Sequence, residues 1–409
     1  MQLLKVDTLE QAREKLIQAV GSDWLKVCEV AVEDARDKVL AEDIYGVQDI
    51  PEFRRSMVDG YAVQAKDTMG ASDSIPVFLE VIEDVAIGTK AQSTIVPGTC
   101  AYVPTGGMLP EGADSCVMVE YCEQFDKTHI AVSQPVSPGR HIVDIGEDSK
   151  KGALIFKKGR RLRPQEVGVL AAEGLTKVKV YAPLSVFVIS TGDELVTPGE
   201  ELPIGKIYDI NTQALTALAR KHGFFISGTK TVPDVYEALR GAIEEAQKIS
   251  DIVVISGGSS KGKKDITAQL IDELSEPGVF THGLALKPGK PTILGMDKKS
   301  HTLMVGLPGH PVAAMAVFEM LPVWLKKELE GEAKKLLLPA VLDGNVPGTP
   351  GRKMLLFVEL TRSEDGYQAR PIFGKSGLMS TMTRADGYAV VDLNQEGLKS
   401  GDKIWVAQL

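Results

Sequence analysis

Three glycine-rich segments could bind an anion, because each follows an apolar, strand-like run. They are Ser190–Glu194, Ser256–Asp265 and Gly306–Pro311. Glycines let backbone N–H groups approach an oxyanion closely, and a following helix N-terminus adds partial positive charge. The carboxyl ends of parallel strands meet at one edge of a sheet, where ligands of such sheets bind. Each segment alone could be a tight turn, but three at one edge predict a phosphate-type site.

The second segment also matches two enzyme motifs. Residues 258–262 fit the G-x-S-x-G nucleophile elbow, which would make Ser260 the nucleophile of a serine hydrolase. Three histidines follow it in the chain: His282, His301 and His310. Residues 257–263 approach a Walker A loop, but Lys264 stands where the Mg²⁺-binding Ser or Thr should be. The favoured interpretation is an anion cradle with Asp265 at its edge, and the hydrolase is the less favoured alternative.

Acidic and basic side chains surround these segments. Acidic residues stand at predicted strand ends and helix starts: Asp193, Glu194, Asp209 and Asp265. Helix capping explains any one of them, whereas several beside a phosphate would bind Mg²⁺. Lys287 and Lys290 flank a Pro-Gly turn, which would place two ammonium groups against a dianion. A solvent-exposed hairpin tip is the alternative interpretation of that turn.

The segments must be positioned by residues 183–330, where strand-like and helical patterns alternate. This alternation predicts βαβ units with right-handed crossovers, and therefore a central three-layer α/β domain with a mostly parallel sheet. Its last helix is predicted from about Pro311 to Leu329.

Two regions flank this domain, so the predicted fold class is multi-domain α/β plus β. Residues 1–182 open with a helical pattern that begins after Thr8 and stops at Gly21. They also contain a β-rich insert at about residues 49–139, made of short strand-like pieces broken by Pro and Gly. Residues 331–409 predict a small C-terminal β-barrel.

Composition narrows the class of protein. The 409 residues include 46 Lys and Arg against 55 Asp and Glu, a net charge of −9. This balance argues against a general nucleic-acid binder, which should carry a basic face. An acidic protein that binds an anion must therefore gather its lysines in one place.

The cysteines and the apolar runs indicate where the protein works. The chain has four cysteines, Cys28, Cys100, Cys116 and Cys122, and none of them forms a C-x-x-C motif. This spacing favours free thiols in a reducing compartment. The N-terminus lacks the apolar core of a signal peptide, and no apolar run approaches the ~18 residues of a membrane span. The expectation is a soluble, cytoplasmic protein.

Taken together, the motifs resemble one family. The motifs, in chain order, are Arg55–Ala62, Ser190–Leu195, Tyr208–Asn211, Ser256–Asp265, Lys287–Pro291 and Gly306–Pro311. In this order and spacing they resemble the molybdopterin molybdenumtransferase family (MoeA, and the E domain of gephyrin). The resemblance covers essentially the whole chain, and its α/β part resembles the MogA type.

The resemblance implies a function in molybdenum cofactor biosynthesis. It implies that adenylylated molybdopterin binds with molybdate (or tungstate), that Mg²⁺ assists cleavage of the pyrophosphate link, and that AMP is released. It also implies a homodimer in which the α/β domain faces the partner's N-terminal β region across the active cleft. A MogA-type adenylyltransferase and apo-molybdoenzymes are the further partners that it implies, with neither nucleic acid nor membrane.

The resemblance also assigns roles to residues. The catalytic set that it implies is Asp59, Glu194, Asp209, Asp265, Lys287 and Lys290. Within this set, Asp59, Glu194 and Asp265 are the implied metal ligands. The implied substrate-binding residues are Thr105, Asp148, Thr191, Gly192, Ser256, Gly257, Gly258, Ser259, Pro308, Gly309 and Ser376.

The chain departs from the family pattern at several positions. Val143, Asp144 and Ile145 stand where relatives often carry arginines, and Phe357 stands near another family arginine. His310 replaces a common asparagine. The departures leave the choice between molybdate and tungstate open, and they suggest a paralogous branch.

Two alternatives share part of the resemblance. Proteins of the MogA or CinA type bind or adenylylate pterins but share only the α/β domain. A scaffold like the receptor-clustering E domain of gephyrin is the non-enzymatic alternative. The full transferase is favoured, because residues 57–62 and the C-terminal β region both match the family.

Overall fold

The chain folds into an N-terminal region, a central α/β unit and a C-terminal β unit, as the fold class predicts. The computed structural model describes residues 6–21, 23–257, 264–332, 336–364 and 366–409. Within these ranges, no helix is long and apolar enough to cross a membrane.

The N-terminal region consists of one helix, a long series of short strands and a second short helix. Its elements are, in chain order, α1 (Leu9–Val20), β1 (Val27–Ala31), β2 (Ile44–Tyr45), β3 (Arg55–Ser56), β4 (Gly60–Val63), β5 (Val77–Asp84), β6 (Thr99–Val103), β7 (Ser115–Met118), β8 (Cys122–Gln124), β9 (His129–Val132), β10 (Ile142–Val143), β11 (Leu154–Phe156), α2 (Pro164–Ala172) and β12 (Lys177–Tyr181).

Helix α1 packs on the central unit, although the β-rich part follows it in the chain. Thr8 caps the helix, because its Oγ1 accepts a hydrogen bond from the Gln11 N–H at 3.2 Å. Gly21 ends it with a φ of 75°. Beyond the helix, the indole N–H of Trp24 donates to the carbonyl oxygen of His301 at 2.9 Å. The buried face of α1 lies in the core of the α/β unit: Leu9, Ala12, Leu16 and Val20.

The chain then leaves the central unit and returns to it through nested antiparallel pairs. Strand β1 pairs with β12, β2 with β11, and β3 with β10. The chain segment between β3 and β10 forms a six-stranded sheet in the order β7-β4-β6-β5-β9-β8. This sheet spans residues 60–132, and it confirms the predicted β-rich insert.

The central unit alternates strands and helices. Its elements are β13 (Ser185–Thr191), β14 (Leu195–Val196), β15 (Ile207–Tyr208), α3 (Ile210–Lys221), β16 (Phe225–Val232), α4 (Tyr236–Gln247), β17 (Ile252–Gly257), α5 (Lys264–Glu273), β18 (Pro277–His282), β19 (Leu286–Lys287), β20 (Ile293–Asp297), β21 (Thr302–Leu307), α6 (Pro311–Phe318) and α7 (Trp324–Glu330).

The main sheet of this unit has the order β16-β13-β17-β21-β20-β18 and is covered by helices on both faces. Strands β13, β16, β17 and β21 are parallel, and β20 runs antiparallel to its neighbours. Val186 and Val188 of β13 pack toward α1, α3 and α6, whereas Phe187 and Ile189 pack toward α4 and α5. Because successive side chains of a strand point to opposite faces, one strand serves both layers. The predicted three-layer, mostly parallel architecture is confirmed.

The helix predicted from Pro311 to Leu329 is interrupted. Residues Glu319–Val323 form a π-helical turn between α6 and α7. Pro322 lies inside this turn and has no N–H to donate, so the regular α-helical hydrogen bonding cannot continue through it.

The C-terminal unit contains a closed β-barrel, as predicted. Its elements are β22 (Leu338–Leu342), β23 (Val346–Pro347), β24 (Lys353–Ser363), β25 (Gly366–Pro371), α8 (Ser380–Thr383), β26 (Gly387–Val391), β27 (Gly397–Leu398) and β28 (Lys403–Gln408). Pairing runs β24-β25-β22-β28-β26 and closes through β26 and β24. Strand β19 of the central unit pairs in parallel with β24, which joins the two units.

Candidate active site

The glycine-rich segments meet at one edge of the central sheet. Ser190 of β13 is in register with Ser256 of β17, and Ser256 is in register with Leu307 of β21. The chain leaves all three parallel strands at this edge, where a cavity of about 370 Å³ opens. The strand ends from which the three segments begin therefore lie together, as predicted.

Gly257 allows β13 and β17 to end side by side. Its φ is 138°, in a region that side chains rarely adopt. A Cβ at this position would lie 2.9 Å from the carbonyl carbon of Thr191 and closer still to its oxygen. The start of the second segment is thus shaped by close backbone approach.

Asp209 lies at this edge as a buried helix cap. It is 2% exposed, and it is the N-cap residue of α3. Its Oδ1 accepts hydrogen bonds from Ser190 Oγ and the Thr212 N–H, both at 3.0 Å. Its Oδ2 accepts from Thr212 Oγ1 at 2.6 Å and from Thr231 Oγ1 at 2.9 Å. These four bonds use both carboxylate oxygens to hold α3 against two strands.

Asn211 is a site residue that the sequence reasoning did not assign. Its side-chain amide donates to Ser256 Oγ and to the Gly309 carbonyl oxygen, each at 2.8 Å. It thereby ties α3 to the ends of β17 and β21. Its own Oδ1 is buried and has no partner among the described residues. Its position in the sequence could have indicated this role, because Asn211 lies two residues after the cap Asp209, inside the motif Tyr208–Asn211.

The loop after β13 brings a free carboxylate to the cavity. Glu194 is exposed and lines the cavity, and its carboxylate has no hydrogen-bond or ion-pair partner in the described part of the chain. Gly192 precedes it, and a Cβ there would lie 3.0 Å from that carboxyl group. Thr191 Oγ1 donates to Asp234 Oδ1 at 2.7 Å, which fixes the start of the loop.

Part of the second segment lies outside the described residues. This concerns the predictions for Gly258, Ser259 and Ser260, and also the side chain of Asp265. The hydrolase alternative depends on Ser260, so its nucleophile lies outside the described residues too.

A second cavity, of about 570 Å³, lies between the central and C-terminal units. Lys287 and Lys290 both line it, whereas neither lines the smaller cavity at the glycine-rich edge, which the sequence predicted them to face. Strand β19 pairs Lys287 with Met354 of the C-terminal unit, and Lys287 Nζ donates to Thr349 Oγ1 at 3.1 Å. Two further cations line the same cavity, Arg352 and Lys375, and neither was assigned from the sequence.

The two cavities are adjacent. Gly309 and His310, on the loop after β21, line both of them. Pro308 and Ser376 line the larger cavity. Phe357 also lines it, close to the sequence position at which relatives carry an arginine. Six of the predicted substrate-binding residues therefore line these two adjacent cavities: Thr191, Ser256, Gly257, Pro308, Gly309 and Ser376.

The remaining predicted residues lie in the N-terminal region. Asp59 Oδ1 accepts hydrogen bonds from the Thr105 N–H at 2.7 Å and from Thr105 Oγ1 at 2.9 Å. These bonds favour the ionised form and lower the pKa of Asp59 below its ordinary value. Asp148 is exposed, and its N–H donates to the Ile50 carbonyl oxygen at 2.9 Å. These three residues contact their own β region.

Three of the positions that depart from the family pattern also lie in the N-terminal region. Val143 pairs with Arg55 in the innermost strand pair, and Ile145 is exposed. Asp144 accepts a hydrogen bond from Arg54 Nε at 3.0 Å. Arg54 also donates to the Ala113 carbonyl oxygen, so this arginine is held within the N-terminal region.

Metal ligands are not gathered at one point of the described chain. Among the described residues, no group of three His, Cys, Asp or Glu side chains is arranged to hold a metal ion. Of the predicted metal set, Glu194 lies at the sheet edge and Asp59 in the N-terminal region. Asp59 does not line the cavity that Glu194 lines.

Comparisons with known families agree with this three-part architecture. Residues 7–174 match the "MoeA N-terminal region (domain I and II)". Residues 187–327 match the "Probable molybdopterin binding domain". Residues 339–409 match the "MoeA C-terminal region (domain IV)". Fold and family models thus define a protein with a central α/β domain of the probable molybdopterin-binding class and two flanking β regions.

Whole-chain relatives make the assignment specific. A molybdopterin molybdenumtransferase of Haemophilus influenzae is 32% identical over 98% of this chain and 98% of its own length. One from Mycobacterium tuberculosis is 33% identical over 74% of this chain and 76% of its own. A molybdopterin biosynthesis MoeA crystal structure from Pyrococcus horikoshii OT3 has a TM-score of 0.85 and 31% identity, and covers 99% of this chain and 100% of its own. The chain belongs to the MoeA family, an enzyme family of molybdenum cofactor biosynthesis.

Proposed function

We propose that this protein transfers molybdenum from molybdate, or tungsten from tungstate, to adenylylated molybdopterin with release of AMP. One observation carries the proposal. The glycine-lined cavity at the sheet edge and the lysine-lined cavity between the units share Gly309 and His310 as a common wall. An adenylylated pterin and a tetrahedral dianion can therefore be held side by side.

The smaller cavity suits the phosphate end of the pterin substrate. Thr191, Ser256 and Gly257 line it, Gly192 lies in the loop that follows Thr191, and the glycines let backbone N–H groups approach a phosphate closely. Gly258 and Ser259 continue the same segment and belong to this proposal. Asp209 acts in it as a positioning residue, because its carboxylate is used in holding α3.

The larger cavity suits the oxyanion. Lys287, Lys290, Arg352 and Lys375 line it, and cationic donors make strong charge-assisted hydrogen bonds to a dianion. Ser376 adds a hydroxyl, and Pro308 and Gly309 form the wall toward the pterin. Because the protein has a net charge of −9, this local cluster provides the attraction that the whole chain does not.

Cleavage of the phosphoanhydride mainly requires positioning and charge neutralisation. Water attacks the adenylyl phosphorus, the P–O bond to the pterin phosphate breaks, and AMP and the free pterin phosphate are the products. The two dithiolene sulfurs of the pterin replace one oxo group of the oxyanion, which leaves as water with the two thiol protons, so the metal keeps its oxidation state. The lysines orient the oxyanion, and the glycine-rich segment holds the phosphates. The protein therefore does no covalent work in this step.

Mg²⁺ fits the acidic residues of the site. The free, exposed carboxylate of Glu194 would hold it, together with Asp265 and with Asp59 from a second copy of the chain. Bound there, the ion would neutralise charge on the phosphate oxygens. The low pKa of Asp59 keeps that carboxylate ionised for such a role.

A homodimer follows from the same reasoning. Asp59, Thr105 and Asp148 lie on the N-terminal region, whereas Glu194 lies on the central unit. We propose that the N-terminal region of a second copy completes the site. Mixed dimers of Asp59→Ala and Glu194→Ala chains would then contain one intact site and recover activity that neither homodimer has.

The deciding experiment follows AMP release. The protein is incubated with adenylylated molybdopterin, Mg²⁺ and either molybdate or tungstate, and nucleotides are separated by chromatography. AMP release that depends on the oxyanion supports the proposal, and the more effective anion identifies the metal. No AMP with either anion would remove the assignment.

A further inference from the structure

His310 connects the two cavities to the C-terminal unit. It occupies the N-cap position of α6, but its side chain makes no capping hydrogen bond to that helix. Its Nδ1 instead lies 2.8 Å from Ser376 Oγ. The ring thus bridges from the central unit to the loop before α8.

Ser376 is held at a second point on the same helix. The N–H of Val312, in the first turn of α6, donates to the Ser376 carbonyl oxygen at 3.2 Å. The backbone of Ser376 is therefore fixed independently of its hydroxyl group. What the imidazole controls is where the hydroxyl proton points.

A serine hydroxyl has one proton to donate and two lone pairs. If His310 Nδ1 accepts, that proton is consumed between the two side chains. If Nδ1 carries its own proton and donates, the serine proton is free for an anion in the larger cavity. Only the second arrangement lets Ser376 bind an oxyanion as a donor.

We propose that His310 donates from Nδ1 to Ser376 Oγ and thereby directs the Ser376 proton toward the oxyanion. His310 is then a positioning residue that tunes oxyanion affinity with pH. The inference rests on the proposed function, since it takes the oxyanion as the ligand of the lysine-lined cavity.

The sign of the pH effect follows from the protonation states of imidazole. The imidazolium must donate from Nδ1, whereas the neutral ring is divided between two tautomers, only one of which donates. Because a lower pH favours the imidazolium, oxyanion affinity should be higher at pH 6 than at pH 8. The charged groups that face His310 are Lys287, Lys290, Arg352 and Lys375 in the larger cavity, and Glu194, Asp209 and Asp234 in the smaller one.

The test measures oxyanion binding directly, without pterin and without turnover. Tungstate and molybdate are titrated by calorimetry at pH 6 and pH 8, at micromolar concentration. His310→Gln keeps a donor but cannot titrate, and His310→Ala removes the donor. The matched control is His129→Gln, because His129 is a half-buried histidine of the N-terminal β sheet that lines neither cavity.

We expect the unmodified protein and His129→Gln to bind at least about threefold more tightly at pH 6 than at pH 8. His310→Gln should bind equally at both values. His310→Ala should bind about fivefold more weakly at pH 8. In a Ser376→Ala background, His310→Ala should add no further loss, and the pH dependence should be absent.

Three outcomes would overturn the inference. An unchanged pH dependence in His310→Gln, or additive losses in the double variant, would show that His310 does not act through Ser376. A pH dependence that persists in Ser376→Ala would show that His310 acts only through its charge. In these three cases the lysine-lined cavity remains the oxyanion site. If the unmodified protein binds neither anion, the proposed function fails with the inference.

Discussion

The side-chain amide of Asn211 donates to the Gly309 carbonyl oxygen at 2.8 Å, and it thereby fixes the wall that separates the two cavities. Its second N–H donates to Ser256 Oγ. One residue at the start of α3 thus sets the spacing between the ends of β17 and β21. The geometry of the site depends on this bridge.

We expect Asn211→Ala to slow oxyanion-dependent AMP release at least about tenfold, because small displacements of positioned groups are costly in catalysis. The thermal unfolding midpoint should change much less than the rate. Asn345→Ala is the control, because Asn345 accepts a hydrogen bond from the Ser400 N–H within the C-terminal unit and lines neither cavity. Equal rates for the two variants would contradict the role given to Asn211.

Gly257→Ala should destabilise the central unit by about 2–3 kcal/mol, because a Cβ would collide with the Thr191 carbonyl group at a positive φ. Chemical denaturation followed by circular dichroism measures the loss. Gly241→Ala is the matched control, since Gly241 lies in α4 with open space around the added Cβ. That change should stabilise the protein by about 0.5–1 kcal/mol. A loss no larger than that of an ordinary surface substitution would show that the strand ends can separate.

Glu194→Gln should leave stability unchanged and raise the Mg²⁺ concentration needed for half-maximal AMP release at least about tenfold. The glutamate has no described protein partner to lose, so its function must lie in binding. Glu200→Gln removes a carboxylate from the next loop of the chain, between β14 and β15, and should have no effect. An unchanged Mg²⁺ requirement in Glu194→Gln would assign the ion to other ligands.

Lys287→Ala and Lys290→Ala should each raise the oxyanion requirement about 10- to 100-fold, the range for a lost charge-assisted hydrogen bond. High salt should produce part of the same defect in the unmodified protein. Lys298→Ala removes an exposed lysine from the turn between β20 and β21 and serves as the control. A normal oxyanion requirement in the double variant at low salt would mean that the turn is an exposed hairpin tip.

Stability should depend on pH through Glu166. This residue is 3% exposed in the first turn of α2, and hydrogen bonds from Arg163, then from Arg160, lower its pKa. Since the folded pKa is below the unfolded value, the stabilisation is fully present above about pH 5 and is lost as the pH falls through the folded value.

Glu166→Gln should therefore cost about 1–3 kcal/mol at pH 7. Its difference from the unmodified protein should shrink as the pH is lowered below 4.5, the ordinary value for this group. Denaturation curves from pH 3 to pH 7 measure this. Glu237→Gln is the control in the first turn of α4. A difference that is constant over this range would mean that the carboxylate charge contributes nothing.

Much of the fold was predictable from short-range sequence patterns. The alternation of strand-like and helical patterns predicted the parallel sheet, because periodicity reports which faces are buried. The cap at Thr8 and the stop at Gly21 predicted both ends of α1. Pro322, however, broke the last helix, and its place inside an apolar run hid the interruption.

The candidate site was predictable as far as strand ends are predictable. Once the strands are parallel, their carboxyl ends lie at one edge of the sheet. The register between neighbouring strands then places Ser190, Ser256 and Leu307 beside one another. The turn that contains Lys287 and Lys290 lines the cavity between the central and C-terminal units. Arg352 and Lys375 were not assigned, because their role depends on how the C-terminal barrel sits on the central unit.

By itself the sequence determined the element types, the glycine segments at one sheet edge and the family. These follow from interactions between residues that are near in the chain, or from motifs in a constant order. Only the tertiary structure decided that Asp209 is a saturated helix cap, that α1 packs on the central unit, and that His310 contacts Ser376. Those contacts join residues far apart in sequence, and burial and hydrogen-bond partners at such distances are set by the packing of whole units.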